Sequence, residues 1–167
     1  MEFNEAKNKF IQTWGALGSQ WGINKTMAQI HALLMVSPEP LSMEDVMDEL
    51  LISRGNASMN LRALMDWGIV YKEYKSGERK EFFTAEKDLD ELAVKIAKER
   101  SKREIKPALK VLKDVSSIDA SQSSETKHFV EKTNELYDFV LKADNMIDKV
   151  TEFKDNWIGR LVMKIMK

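Results

Sequence analysis

Arg54, Ser58 and Arg62 recur every four residues, so on a helix they share one face, with Gly55 and Met59 beside them. Two guanidinium forks and a small hydroxyl on an exposed helix face can hydrogen-bond phosphate oxygens and the donor and acceptor edges of bases in a DNA major groove. Ser53, Asn56 and Asn60 lie close by and add hydroxyl and amide groups to the same surface. A solvated helix face ordinarily carries a Glu/Lys mixture; this one carries short or basic groups that allow close approach. Ser53, Arg54, Asn56, Ser58, Met59, Asn60 and Arg62 are therefore the candidate DNA-reading set.

The elements that must hold this face are legible around it. Ala57, Leu61, Leu64 and Met65 form the inner face of the same helix, with Ser53 placed to cap its start and Gly68 to end it. Upstream, Ser42-x-x-Asp45 has the form of a capping box, and Met43, Val46, Met47 and Leu50 repeat at helical spacing. Two or three residues separate the two helices, the spacing of a helix-turn-helix. Downstream, Ile69–Tyr74 and Arg79–Thr84 read as strands about a turn at Lys75–Glu78. A helix-turn-helix followed by a hairpin is a winged helix, and Lys75, Arg79 and Lys80 at the wing tip are placed to meet backbone phosphates.

The run Ser53–Arg62, with Asp66-Trp67-Gly68-Ile69-Val70, closely resembles the recognition helix of GbsR-type transcriptional regulators, which are relatives of the MarR winged-helix repressors. The resemblance extends over about residues 20–84. It implies a dimeric, DNA-binding transcription factor. It also makes a small-molecule effector plausible, since some members of that family respond to choline or other quaternary ammonium compounds.

Composition bounds the rest. The 167 residues carry 26 basic and 27 acidic side chains, no cysteine and two histidines. These numbers exclude a disulfide framework and a thiol nucleophile, and leave little for a structural zinc site. No apolar run reaches transmembrane length and no signal sequence opens the chain, so no membrane partner and a cytoplasmic location are expected. A net charge of −1 is low for a DNA binder, but its distribution is uneven. Residues 42–52 hold four acidic groups and no basic one, whereas residues 53–80 hold six basic groups against three acidic. So modest an excess predicts weak binding by one unit and useful affinity only from two on one duplex.

The expected fold is mainly α with a small β-hairpin wing: a winged helix-turn-helix domain with an N-terminal helix over residues 1–85, then a helical linker and dimerisation region over 86–167. Phe3, Ala6, Phe10, Trp14 and Leu17 stripe the first helix. Asn24 opens a second, on which Met27, Ile30, His31 and Leu34 face inward, with His31 expected to be partly buried and hydrogen-bonded. Residues 86–114 read as helical with two apolar stripes out of phase, which face opposite sides of one helix unless it kinks near Pro107, and the charged run Lys98–Glu104 reads as a solvated connector. After a Ser-rich loop at 116–124, Phe129, Leu136, Ala143 and Val150 repeat every seven residues, with Thr133, Val140 and Ile147 interleaved; Trp157, Leu161, Val162, Ile165 and Met166 extend the apolar pattern. The dimer contact is accordingly expected at Phe3, Phe10, Trp14, Phe129, Leu136, Val140, Ile147 and Val150. The aromatic residues Trp14, Trp21, Trp67 and Tyr71 are candidates to border an effector site, where rings attract a quaternary ammonium group.

An enzyme is disfavoured: no catalytic ordering of Ser, His and Asp, no phosphate-binding glycine loop and no cofactor motif is present. The remaining alternative, a winged-helix module that binds protein, would show aliphatic residues where Arg54 and Arg62 stand.

Overall fold

The computed structural model describes residues 1–121 and 123–155, the side chains of 153–155 excepted. Trp157, Leu161, Val162, Ile165 and Met166 thus lie outside the described residues. The chain divides into two compact units, Met1–Leu92 and Ala93–Lys167.

In the first unit, α1 (Phe3–Gln20) leads into α2 (Lys25–Val36), the short strand β1 (Leu41–Ser42), α3 (Met43–Leu50), α4 (Arg54–Asp66) and the strands β2 (Val70–Tyr74) and β3 (Glu81–Ala85). Helix α2 is the hub: Met27, Ala28, Ile30, His31, Ala32, Leu33 and Leu34 are all buried, and it packs on α1, α3, α4 and β3. Asn24 caps its start by accepting from the Met27 N–H. Its last carbonyls are capped from a distance, because Lys87 Nζ donates to the oxygens of Leu34, Met35 and Ser37 at 2.7–2.8 Å. The α1–α2 contact is a close one. The buried face of α1 is Ile11, Gly15 and Gly18, and a Cβ at Gly18 would stand 2.5 Å from the Cβ of Ala28. This is not the Phe3/Phe10/Trp14 stripe: Phe3 and Ala6 are exposed, and Phe10 and Trp14 stack on one another at 5.6 Å.

His31 corrects a second expectation. It is buried, but its Nε2 has no hydrogen-bond partner. Burial, with the Lys87 charge adding to it, lowers its pKa to about 4, so the ring is neutral at pH 7.

The capping box is as the sequence predicts: the Ser42 side chain accepts from the Asp45 N–H, and the Asp45 carboxylate accepts from the Ser42 N–H. The sheet has one strand more than the pattern revealed. Leu41 and Ser42 pair antiparallel with Phe83 and Phe82, giving the order β1-β3-β2. Two residues are too few for an alternation signal. Gly68 takes φ +69° just past α4, and Gly77 takes φ +82° in the wing turn, which spans residues 75–80.

The second unit carries most of α5 (Leu89–Arg100), a π-turn at Ser101–Ile105, α6 (Lys106–Val115) and α7 (Ser124–Asp155). The helix is interrupted between the two apolar stripes by this π-turn, just before Pro107. The Lys106 N–H bonds to the Ser101 carbonyl, five residues back, which absorbs about one residue of helical rotation. Pro107 follows in the first turn of α6, directly after the π-turn, where its missing N–H interrupts the hydrogen-bond ladder of the continuous helical run. The run 98–104 is only partly solvated: Glu99 is buried and is paired with Arg103 at 2.5 Å, and Ser101 is buried too. On α7, Thr133, Asp144 and Thr151 are the buried positions among the described side chains, and the helix packs on the π-turn and α6.

Candidate nucleic-acid interface

Helices α3 and α4 are joined by Leu51, Ile52 and Ser53, a turn held by a left-handed Leu51 at φ +53°. Ser53 Oγ accepts from the Asn56 N–H and so fixes where α4 begins. Ala57, Asn60, Leu61 and Leu64 are buried, which turns Arg54, Gly55, Met59 and Arg62 outward, with Ser58 half-buried at the border. Asn60 departs from expectation. It is 3% exposed, and its side-chain amide donates to the Asn56 carbonyl and to Asn56 Oδ1 at 2.6 Å. It therefore braces the first turns of α4 from the inside and is not on the exposed face; Met65, expected inside, is half-buried instead.

The charges on this surface are arranged relative to one another. Arg54, the first residue of α4, has its side chain 65% exposed and reaches back to Glu44 of α3, with Nη2 to Oε1 at 2.6 Å and Nη1 facing Met43 Sδ at 3.8 Å. The hydrogen bond from Arg54 holds the Glu44 carboxyl below the usual carboxylate range, and the Lys80 charge acts in the same direction. Asp45 is lowered too, by the hydrogen bonds from Ser42 first and then by the charges of Lys80 and Lys75. The wing tip thus shares an electrostatic neighbourhood with the start of α3. Lys75 Nζ lies 4.4 Å from the centre of the Phe82 ring, which aligns its stem along the wing. Lys72 is paired with Glu81 across the hairpin at 2.8 Å. That hydrogen bond raises the Lys72 pKa, while Arg62 opposes it as a like charge. Arg79 and Lys80 are exposed in the turn. Exposed cations on α4 and on the wing are the two parts that a winged helix brings to a duplex: one for base edges, one for the phosphates beside them.

The four aromatic residues considered for an effector site sit on three elements. Trp14 is on α1, stacked with Phe10, and Trp21 is the C-cap of α1. Trp67 caps α4, and Tyr71 on β2 donates its hydroxyl to Glu86 at 2.7 Å. Of the residues expected in a dimer contact, Phe3, Phe129, Leu136 and Val150 are exposed. Val140 and Ile147 are half-buried and share the face of α7 that carries the buried Thr133, Asp144 and Thr151. The pattern also concealed two residues of the exposed seam, Phe139 and Met146.

Among known proteins, residues 21–80 match the sequence profile of the MarR family. No curated protein matches the chain. A solved structure described as a transcriptional regulator has a similar fold, with a TM-score of 0.58 at 16% identity over 86% of this chain and 99% of that one. A MarR transcriptional regulator from Methanosarcina mazei Go1 aligns over 83% of this chain and 87% of its own, at 19% identity and a TM-score of 0.36. The profile match spans the segment from the end of α1 to the wing tip, and the order of elements found there, a helix-turn-helix followed by a β-hairpin, is that of a winged helix.

Proposed function

We propose that the chain is a DNA-binding transcriptional regulator, acting as a homodimer on a pseudo-palindromic site, with α4 in the major groove and the β2–β3 turn on the flanking backbone. The observation that carries this reading is the joint exposure of Arg54 and Arg62 on one side of α4, with Arg79 and Lys80 at the tip of the wing. Ser58, at the edge of that face, and Asn56 are the other candidates for base contact; Ser53 is committed to the helix cap. The MarR profile match and the transcriptional regulator of similar fold agree with it. Two copies are required because one unit presents few cations, and two recognition helices one DNA turn apart (about 34–36 Å) would double the contacts. The finer reading, a GbsR-type repressor that responds to a quaternary ammonium solute, rests on the string Ser53–Arg62 and on the resemblance it carries.

Selection of a binding site from a random duplex pool, followed by footprinting and salt titration, tests the proposal. Arg62→Ala should cost about 1–3 kcal/mol on the selected site and relax its sequence preference, whereas Lys80→Ala should weaken all sequences alike and flatten the salt slope by about one. An Arg62→Ala protein with unchanged affinity and preference would remove α4 as the reading element.

A further inference from the structure

Arg54 stands at the start of a helix, where the backbone dipole disfavours a cation, and the structure compensates with a carboxylate from the preceding helix. Glu44 occupies the first turn of α3, where an acid is favoured, and its side chain is 42% exposed, on the same surface as the guanidinium it binds. It also lies within the influence of Lys80 at the wing tip. Glu44 is therefore an anion placed among the cations that the proposed function assigns to DNA.

A duplex phosphate that approaches Arg54 meets an occupied guanidinium and a negative charge beside it. Two outcomes are physically open to such a pair. Either the carboxylate stays and orients the arginine toward a base, or the phosphate displaces it. The geometry favours displacement. The pair is surface-exposed, so its net worth is small, and the exposed Glu44 can swing to solvent. A backbone phosphate offers the guanidinium a bidentate partner, whereas Glu44 holds it through Nη2 alone.

We propose that Glu44 is a built-in competitor for Arg54, which lowers affinity for DNA of arbitrary sequence and leaves Arg54 available only where the other contacts hold the duplex in place. This rests on the DNA-binding reading above. It assigns a role in selectivity to a residue that makes no favourable DNA contact, and it accounts for the strongly acidic start of α3 beside a basic surface.

The test uses the full chain and a random-sequence duplex, with affinity read by fluorescence anisotropy over a series of salt concentrations. Glu44→Gln should raise affinity roughly two- to fivefold per protomer and steepen the salt slope by about one. Asp48→Asn makes the same charge change on the same helix and should have a smaller effect. In an Arg54→Ala background, the gain from Glu44→Gln should vanish, because the competitor then has nothing to withhold. A Glu44→Gln protein that binds the random duplex less tightly would show that the carboxylate orients Arg54 productively, and would overturn the proposal. An equal gain with and without Arg54 would overturn it as well, leaving only general charge repulsion. A wild-type chain that binds no duplex at any salt would instead defeat the DNA-binding reading, and this inference with it.

Discussion

The Ser101 hydroxyl donates to the Asp144 carboxylate, and both residues are buried between the π-turn and α7. The other two buried polar residues on that face of α7, Thr133 and Thr151, satisfy their hydroxyls on carbonyls of their own helix. Asp144 differs, since a carboxylate can only accept and needs a donor from another element. The π-turn supplies one by opening at Ser101. Ser101→Ala should therefore leave Asp144 short of its partner and destabilise the protein by about 1–3 kcal/mol. Ser116→Ala, at the end of α6, should change stability by less than about 0.5 kcal/mol. Urea unfolding followed by circular dichroism measures both; equal midpoints for the two variants would mean that Asp144 is satisfied without Ser101.

His31 makes stability fall on the acid side of neutrality. Its folded pKa, about 4, lies below the unfolded value of 6.5, so the unfolded chain takes up the proton first. The stabilisation from keeping the ring neutral is complete above pH 6.5 and is lost as pH falls from 6.5 toward 4, a change of order 3 kcal/mol. His31→Leu should flatten the stability profile within that window. It should also leave the protein no less stable at pH 7, because it removes a buried nitrogen with no partner. An unchanged acid limb in His31→Leu would assign the loss to other groups.

Much of the first unit is legible in the sequence because local signals there agree with one another. Asn24, Ser42 and Ser53 all cap helices as their types imply, and Gly68 stops α4 in the left-handed region. What was hidden depends on three-dimensional context. Asn60 looks like an external amide by residue type, and only the phase of α4 against its neighbours puts it inside. Glu44 is an ordinary first-turn acid until the turn at Leu51 brings Arg54 to it. On α7, residues 136, 143 and 150 fit two heptad seams at once: one continues through 133, 140 and 147, the other through 139 and 146. Spacing alone cannot choose between them. The choice is made by α6 and the π-turn, against which α7 packs: 133, 140 and 147 are buried or half-buried, together with 144 and 151, while 136, 143 and 150 stay exposed.

Gly55 inside α4 and Gly68 just past its end separate requirements of the fold from those of the interface. Gly68 has φ +69° and open space around it, so Gly68→Ala should cost about 1–2 kcal/mol through backbone strain alone. Gly55 is inside the helix, with no left-handed φ, and a Cβ there would meet nothing within 4 Å. Gly55→Ala should accordingly stabilise the protein, by up to about 0.5–1 kcal/mol. If α4 enters a groove, the same change should weaken DNA binding by narrowing the approach beside Arg54. Thermal unfolding and anisotropy on one preparation check the two halves; tighter or unchanged DNA binding by Gly55→Ala would argue that the start of α4 does not approach DNA closely.

Leu51 should be replaceable with gain. It holds φ +53° while 92% exposed, so it carries left-handed strain without burial to offset it. Leu51→Gly should raise stability by about 0.5–1 kcal/mol. A loss measured in chemical denaturation would mean that the leucine makes a contact the turn needs.

The proposed dimer turns on which seam of α7 is left uncovered. Phe129, Leu136, Phe139, Ala143, Met146 and Val150 are exposed, Phe139 at 72%, and from 136 onward they alternate steps of three and four as a helix-packing stripe does. A continuous apolar stripe of this length is costly in water, and a second copy with the same stripe covers it symmetrically. Leu136→Asp with Phe139→Asp changes only exposed positions, so the chain should keep its helical content while the dimer dissociates. Val140→Asp with Ile147→Asp alters the half-buried face instead, and should lower the unfolding temperature of the chain itself by placing charges where α7 packs. Sedimentation equilibrium and circular dichroism on the two double variants distinguish the faces. A Leu136→Asp, Phe139→Asp protein that remains a dimer at micromolar concentration would move the subunit contact away from this seam. The stripe of α1 formed by the exposed Phe3 and the half-buried Phe10–Trp14 pair would be the next surface to test.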